Sequence, residues 1–259
     1  MRSLTNALIF GLLLLVGVFV LVRRGTTPAP TSCTGEVPGP DCVSAPAVDR
    51  GPAGAPSTAA PEPTVRAEDV CPGAGYLCAG LAQRGISRVM RWPDAVEEIE
   101  VRIPRPDFLD AAASREVQSA AVRGILAWQN SPFPIRVTRS DRPGSEDFVV
   151  SWSRRLNGTE LGRTATRWEL RDGVPEMQVQ EFVLTTHAPW GDERRLSPRQ
   201  IQLTAAHEMG HALGLPHSDE RRDLMYPTNT ATRLTTRDYL VMQALYGLEN
   251  GAEILDEAR

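Results

Sequence analysis

The chain contains no lysine: all 28 of its basic residues are arginine. A Walker-type phosphate loop needs a lysine to reach the nucleotide phosphates, so that class of enzyme is excluded. Charge of one sign is also lacking, with 28 basic against 32 acidic residues and a formal net charge of −4. No basic field exists to hold a nucleic-acid backbone. Cysteine is scarce, and Cys33, Cys42, Cys71 and Cys78 form no Cys-x-x-Cys pair. The spacing of a thiolate zinc cluster is therefore missing. In an oxidising compartment the simplest local bridges are Cys33–Cys42 and Cys71–Cys78, with free thiols as the alternative. Histidine is equally scarce, and three of the four fall within residues 207–217.

That run reads His207-Glu208-Met209-Gly210-His211-Ala212-Leu213-Gly214-Leu215-Pro216-His217. His207 and His211 are one helical turn apart, so both imidazoles lie on one face and can reach one metal ion. Gly214 can adopt the left-handed conformation that stops a helix, and Pro216 cannot continue one. The backbone can then turn back and present His217 as a third ligand. Three neutral nitrogens leave a fourth tetrahedral position open, the arrangement of a catalytic zinc. Glu208 projects beside the metal rather than onto it, placed to take a proton from water that the zinc activates.

A bare His-Glu-x-x-His arises by chance on amphipathic helices; the extension through Gly214 and His217 is far more specific. With Leu224-Met225-Tyr226-Pro227 and the closing Leu245-Tyr246-Gly247, the sequence resembles the matrixin branch of the metzincin metallopeptidases. The resemblance covers about residues 85–247. It implies an α/β zincin-like catalytic domain, a mixed twisted sheet of about five strands with three helices, and a zinc-dependent endopeptidase. It further implies that Met225 forms a turn beneath the metal and that a buried Asp238 supports it through hydrogen bonds. Arg237 stands where matrixins usually carry another aspartate, which receives a freed N-terminal ammonium. No cysteine has the Arg-Cys-Gly context of a matrixin latency segment. The residues of a second, structural zinc are absent, and no calcium site is assigned. Extended protein or peptide substrate is expected along an edge strand, for which Met177–Leu184 is the candidate. Residues Tyr226–Asn229 resemble the wall of the pocket beyond the cut bond. The rival function is a non-catalytic zinc-binding module of the same fold, against which the intact Glu208 argues.

Leu4–Val22 is almost wholly apolar and is followed by Arg23-Arg24. Its length is near the roughly 20 residues of a bilayer span, so residues 1–24 are expected to be a membrane anchor, with a cleaved signal peptide as the alternative. The cysteines and the enzyme class place the catalytic domain outside the cytoplasm, secreted if the leader is removed. Residues 25–69 are rich in Pro, Ala and Gly and read as an extended linker. The folded domain is expected over 70–248, followed by an acidic tail at 249–259.

Within it, Ile99–Ile103, Ile135–Thr138 and Phe148–Trp152 read as strands, and Asp110–Gln129 as a helix burying Val117, Ala120, Ala121, Gly124, Ile125 and Trp128. Trp168–Leu170 and Met177–Leu184 flank an Asp172-Gly173 turn signal. Ser197 with Gln200, and Thr235 with Asp238, predict the capped starts of two helices. His187 is read as a surface or cleft residue, and Asn157-Gly158-Thr159 matches a common glycosylation pattern.

Overall fold

The computed structural model describes residues 63–130, 134–171, 174–189, 194–228 and 230–255. The apolar run Leu4–Val22, the cysteines Cys33 and Cys42, and Asn229 lie outside the described residues. Among the described residues no helix is long and apolar enough to cross a membrane.

The sheet begins with β2 (Glu98–Arg102), whose alternation turns Ile99 and Val101 into the core. Strand β3 (Arg136–Ser140) pairs with it in parallel on one side and β4 (Phe148–Val149) on the other. One residue later β5 (Ser151–Ser153) pairs in parallel with β7 (Val174–Thr185). The run Phe148–Ser153 thus joins two three-stranded ladders, and the stacked rings of Phe148 and Phe182 (5.4 Å) cross the join. Strand β6 (Gly162–Arg171) runs antiparallel to β7, with a register shift at Ala165/Thr166. The expected mixed sheet of about five strands is therefore present in the order β3, β2, β4–β5, β7, β6.

The expected edge strand needs correction. Met177–Leu184 lies in β7, which pairs with β6 along its length and with β5 at Val183–Thr185, so it is not the outermost strand. The outer strand on this side is β6. The expectation takes the strand just before the active-site helix as the edge; that strand is the more apolar arm of the hairpin and lies inside, where an inner strand packs against more of the core.

Three long helices complete the core. Asp110 caps α3 (Ala111–Ile125) by accepting from the amides of Ala112 and Ala113. A 3-10 turn, Leu126–Asn130, follows and buries Trp128. Helix α4 (Pro198–Ala212) lies against α3, β6 and β7. Helix α5 (Thr236–Gly247) closes the core with Val241, Met242 and Leu245. Both predicted capping boxes are formed, at Ser197/Gln200 and Thr235/Asp238.

Ordered structure passes both expected domain bounds. Strand β1 (Thr64–Arg66) and helix α1 (Ala67–Val70) fall within the expected linker, and β1 pairs in parallel with β8 (Glu253–Leu255) in the expected tail. Helix α2 (Leu77–Gln83) follows a second 3-10 turn, Cys71–Gly73. The disulfide Cys71–Cys78 closes this segment, with Cα atoms 5.7 Å apart.

Candidate metal centre

Helix α4 carries two of the three clustered histidines, and its length and end are set locally. Pro198 takes the first helical position, where no amide donor is needed. The indole of Trp128 donates to the carbonyl of Ala206 and that of Trp92 to Ala212, each at 2.8 Å, which fixes the helix at the level of the site. Gly214 ends it with φ at +97°. A Cβ there would also lie 2.5 Å from the carbonyl oxygen of Met90, so glycine is required twice over. The chain then reverses through Leu215 and Pro216 and brings His217 back beside the helix.

The three imidazoles converge. Ring centroids are 4.8 Å apart for His207 and His211, 4.7 Å for His211 and His217, and 5.4 Å for His207 and His217. One ligand atom from each lies within 4.8 Å of the others, the one such His/Cys/Asp/Glu group among the described residues. Nδ1 of His207 meets the carbonyl of Leu224 at 2.7 Å, and Nδ1 of His211 that of Leu215 at 2.9 Å. A carbonyl only accepts, so both Nδ1 atoms carry the proton and both Nε2 atoms keep a free lone pair. Nε2 of His211 faces Nε2 of His217 at 3.1 Å. Nitrogens bound tetrahedrally to zinc at about 2.0–2.1 Å stand about 3.3 Å apart, so the donor set fits a zinc ion.

Met225 packs directly under this arrangement. A Cβ on Gly210 would come within 2.4 Å of the Met225 sulfur, so the turn fits against α4 only because residue 210 has no side chain. The turn is held from below by Asp238, which is fully buried. Its carboxylate accepts from the amides of Leu224 (3.0 Å), Met225 (3.4 Å) and Thr235 (2.7 Å), and from the hydroxyl of Tyr76 (2.8 Å).

The matrixin peptidase model matches residues 110–247, a little over half of the chain. This chain belongs to the matrixin family. Stromelysin-2 of Rattus norvegicus is 30% identical over 139 residues, which are 51% of this chain and 28% of that protein. Matrix metalloproteinase-20 of Homo sapiens is 29% identical over 147 residues, 54% of this chain and 30% of that protein. The chain thus spans less than a third of the length of these relatives. Matrixins are zinc metalloendopeptidases, and residues 207–217 with Met225 lie inside the matched region.

In this matrixin Glu208 is buried, with 6% of its surface exposed, yet its carboxylate lines the same cleft as the histidines. The hydroxyl of Thr164, on β6, donates to its Oε2 at 2.8 Å. Gly162 on the same strand leaves the space it occupies; a Cβ there would stand 2.7 Å from Oε1 and Cγ. Neither residue is signalled in the sequence, because both come from a strand more than forty positions away. Burial pushes the Glu208 carboxyl up to about 7, and the Thr164 hydrogen bond opposes this. Burial lowers the histidines: His207 to about 4, His211 well below its ordinary value, and His217 in the same direction. All three are neutral near pH 7, the form that ligates a metal.

The cleft has a volume of about 590 Å³ and runs between β6 and the loop after Met225. Arg163 and Glu160, paired at 2.6 Å, stand on its β6 wall, and Thr204, Pro227, Thr228 and Thr230 on the other. Pro227 and Thr228 are where the family resemblance placed a pocket wall. His187 is not a surface or cleft residue: it is 5% exposed, its Nδ1 is 2.8 Å from the hydroxyl of Thr186, and it lies away from the cleft lining. Its strand-end position bridges Arg195. Arg237 is engaged by acids of the same loop. Its guanidinium bonds the carboxylates of Asp219, Glu220 and Asp223 at 2.7–3.0 Å and so ties the loop after His217 to α5.

Proposed function

We propose that this matrixin is a zinc-dependent endopeptidase in which His207, His211 and His217 hold the metal and Glu208 is the general base. The observation that carries the reading is the meeting of three neutral imidazoles, two of them with Nδ1 held by a carbonyl, with a buried carboxylate in one open cleft. When bound, zinc supplies Lewis acidity that favours ionisation of water and polarises the peptide carbonyl. Glu208 accepts the proton of the attacking water and passes it to the departing amine. Thr164 keeps that carboxylate on the cleft side of α4. Met225 and Asp238 hold the peptide that orients His207.

Protein substrate binds in extended form along the outer edge of β6, whose backbone pairs with β7 alone among the described strands. The edge lies beside the catalytic carboxylate, so a segment paired there would bring its backbone past Glu208. The apolar run Leu4–Val22 is assigned as a tether to the membrane, with the residues up to β1 as its linker and the catalytic domain on the non-cytoplasmic side.

The test is cleavage-site profiling on a proteome-derived peptide library with the wild-type chain, the Glu208→Ala variant and a chelated control. The expected result is a defined set of internal cleavages from the wild type only. Equal cleavage by the variant, or none by any sample that holds zinc, would contradict the assignment.

A further inference from the structure

Helix α2 lies outside the region matched to the family, yet it reaches the metal centre by two routes. The first runs through hydrogen bonds. Tyr76, at the start of α2, is 1% exposed, and its hydroxyl donates to Oδ1 of Asp238 at 2.8 Å. The other oxygen of that carboxylate accepts from the amide of Leu224 at 3.0 Å. The carbonyl of the same Leu224 accepts from Nδ1 of His207 at 2.7 Å. The second route is steric. A Cβ on Gly80 would lie 2.6 Å from the carbonyl oxygen of His217 and 2.7 Å from Cβ of Pro216, so α2 rests directly on the loop that presents the third ligand.

The disulfide Cys71–Cys78 encloses Tyr76 and anchors the first turn of α2. A helix of seven residues is too short to be stable by its own hydrogen bonds, so the clip and the buried Leu77 and Leu81 together hold its shape. Without the Tyr76 hydroxyl, Oδ1 of Asp238 retains only the 3.4 Å amide of Met225, and the carboxylate is held under the turn through Oδ2 alone, by the amides of Leu224 and Thr235 and the hydroxyl of Thr235. Partners behind a metal-bound histidine set its ring orientation and basicity.

We infer that the disulfide-clipped segment Cys71–Gln83 is a brace for the metal centre, and that Tyr76 is a positioning residue for His207. The inference rests on the zinc site proposed above. It assigns a role in metal retention to residues that precede the matched family region.

The test measures zinc affinity of the 259-residue chain by competition with a chromophoric chelator, and the visible spectrum of the cobalt(II)-substituted protein. Tyr76→Phe keeps the ring and removes one hydroxyl; Cys71→Ser with Cys78→Ser opens the clip and keeps Tyr76. Each is expected to weaken zinc about tenfold and to alter the cobalt bands, since partners behind a ligand carry about 10- to 100-fold in affinity. Combined, they should weaken zinc less than the product of the separate effects, because opening the clip also loosens the Tyr76 contact to Asp238. Val137→Ala, in β3 of the sheet, should lower the melting temperature and leave zinc affinity unchanged. If Tyr76→Phe lowers only the melting temperature of the metal-free chain and binds zinc as the wild type does, the brace is disproved. Should the cysteine variant fail to fold, Tyr76→Phe alone decides. A wild type that holds zinc but cuts no peptide overturns the peptidase reading and leaves the brace to be judged on affinities; a wild type that holds no zinc overturns both.

Discussion

Nδ1 of His207 donates to the carbonyl oxygen of Leu224 at 2.7 Å, so the peptide just before Met225 orients a ligand on the neighbouring helix. The amide of the same Leu224 donates to Asp238. Removing that carboxylate leaves several buried donors without an acceptor, at about 1–3 kcal/mol for each one orphaned. Asp238→Ala should therefore lower stability by about 2–5 kcal/mol and weaken zinc binding at the same time. Thermal melting with and without added zinc checks both. A variant that melts like the wild type would remove Asp238 from its supporting role.

Glu208→Ala separates metal binding from chemistry. The side chain touches Thr164 and the cleft, not the imidazoles' lone pairs, so metal content should stay at one zinc per chain. Loss of general-base assistance should lower kcat/KM by about two to four orders of magnitude. Steady-state hydrolysis of a fluorogenic peptide, with metal content measured on the same sample, decides the point.

Only the ionised carboxylate can accept a proton. Burial pushes Glu208 up to about 7, so its working form is lost as pH falls through a range well above that of an ordinary glutamate. A bound dication favours the ionised form and pulls the midpoint down from there. The acid limb of kcat/KM is expected between the usual carboxylate range and about 7. The Thr164 hydrogen bond lowers the Glu208 value, so Thr164→Val should move this limb to higher pH. A limb unmoved by that change would exclude Thr164 from positioning the base.

Gly214→Ala tests the turn that delivers His217. The new Cβ would meet the Met90 carbonyl at 2.5 Å, at a residue held at φ +97°. Destabilisation of at least about 2 kcal/mol is expected, from backbone strain and from the clash together. Zinc affinity should fall with it, because His217 can no longer return to the same place. Differential scanning calorimetry and metal competition on the variant measure the two effects.

The parts of this architecture written locally were legible. Ser197 with Gln200 and Thr235 with Asp238 lie within one turn, and both caps formed as their residue types dictate. The three histidines likewise share eleven residues, so helical spacing and one glycine were enough to bring them together. Pairings across the chain left no such mark. Thr164 reaches Glu208 from another strand, and Tyr76 reaches Asp238 across 162 positions. Strand β1 has three residues in a Pro- and Ala-rich stretch and exists because β8, at the far end of the chain, offers it a partner. The order of β6 and β7 is of the same kind: a strand's residues do not show which of its edges is covered. The burial of His187 likewise leaves no mark in the residues around it.

The most direct measurement is X-ray absorption at the zinc edge on the purified chain, with His217→Ala alongside. One zinc per chain is expected, with three nitrogen neighbours and one oxygen at about 2.0–2.1 Å, and one imidazole fewer in the variant. A chain without zinc, or a zinc environment built from sulfur or unchanged by loss of His217, would contradict the assignment of His207, His211 and His217 as the metal site.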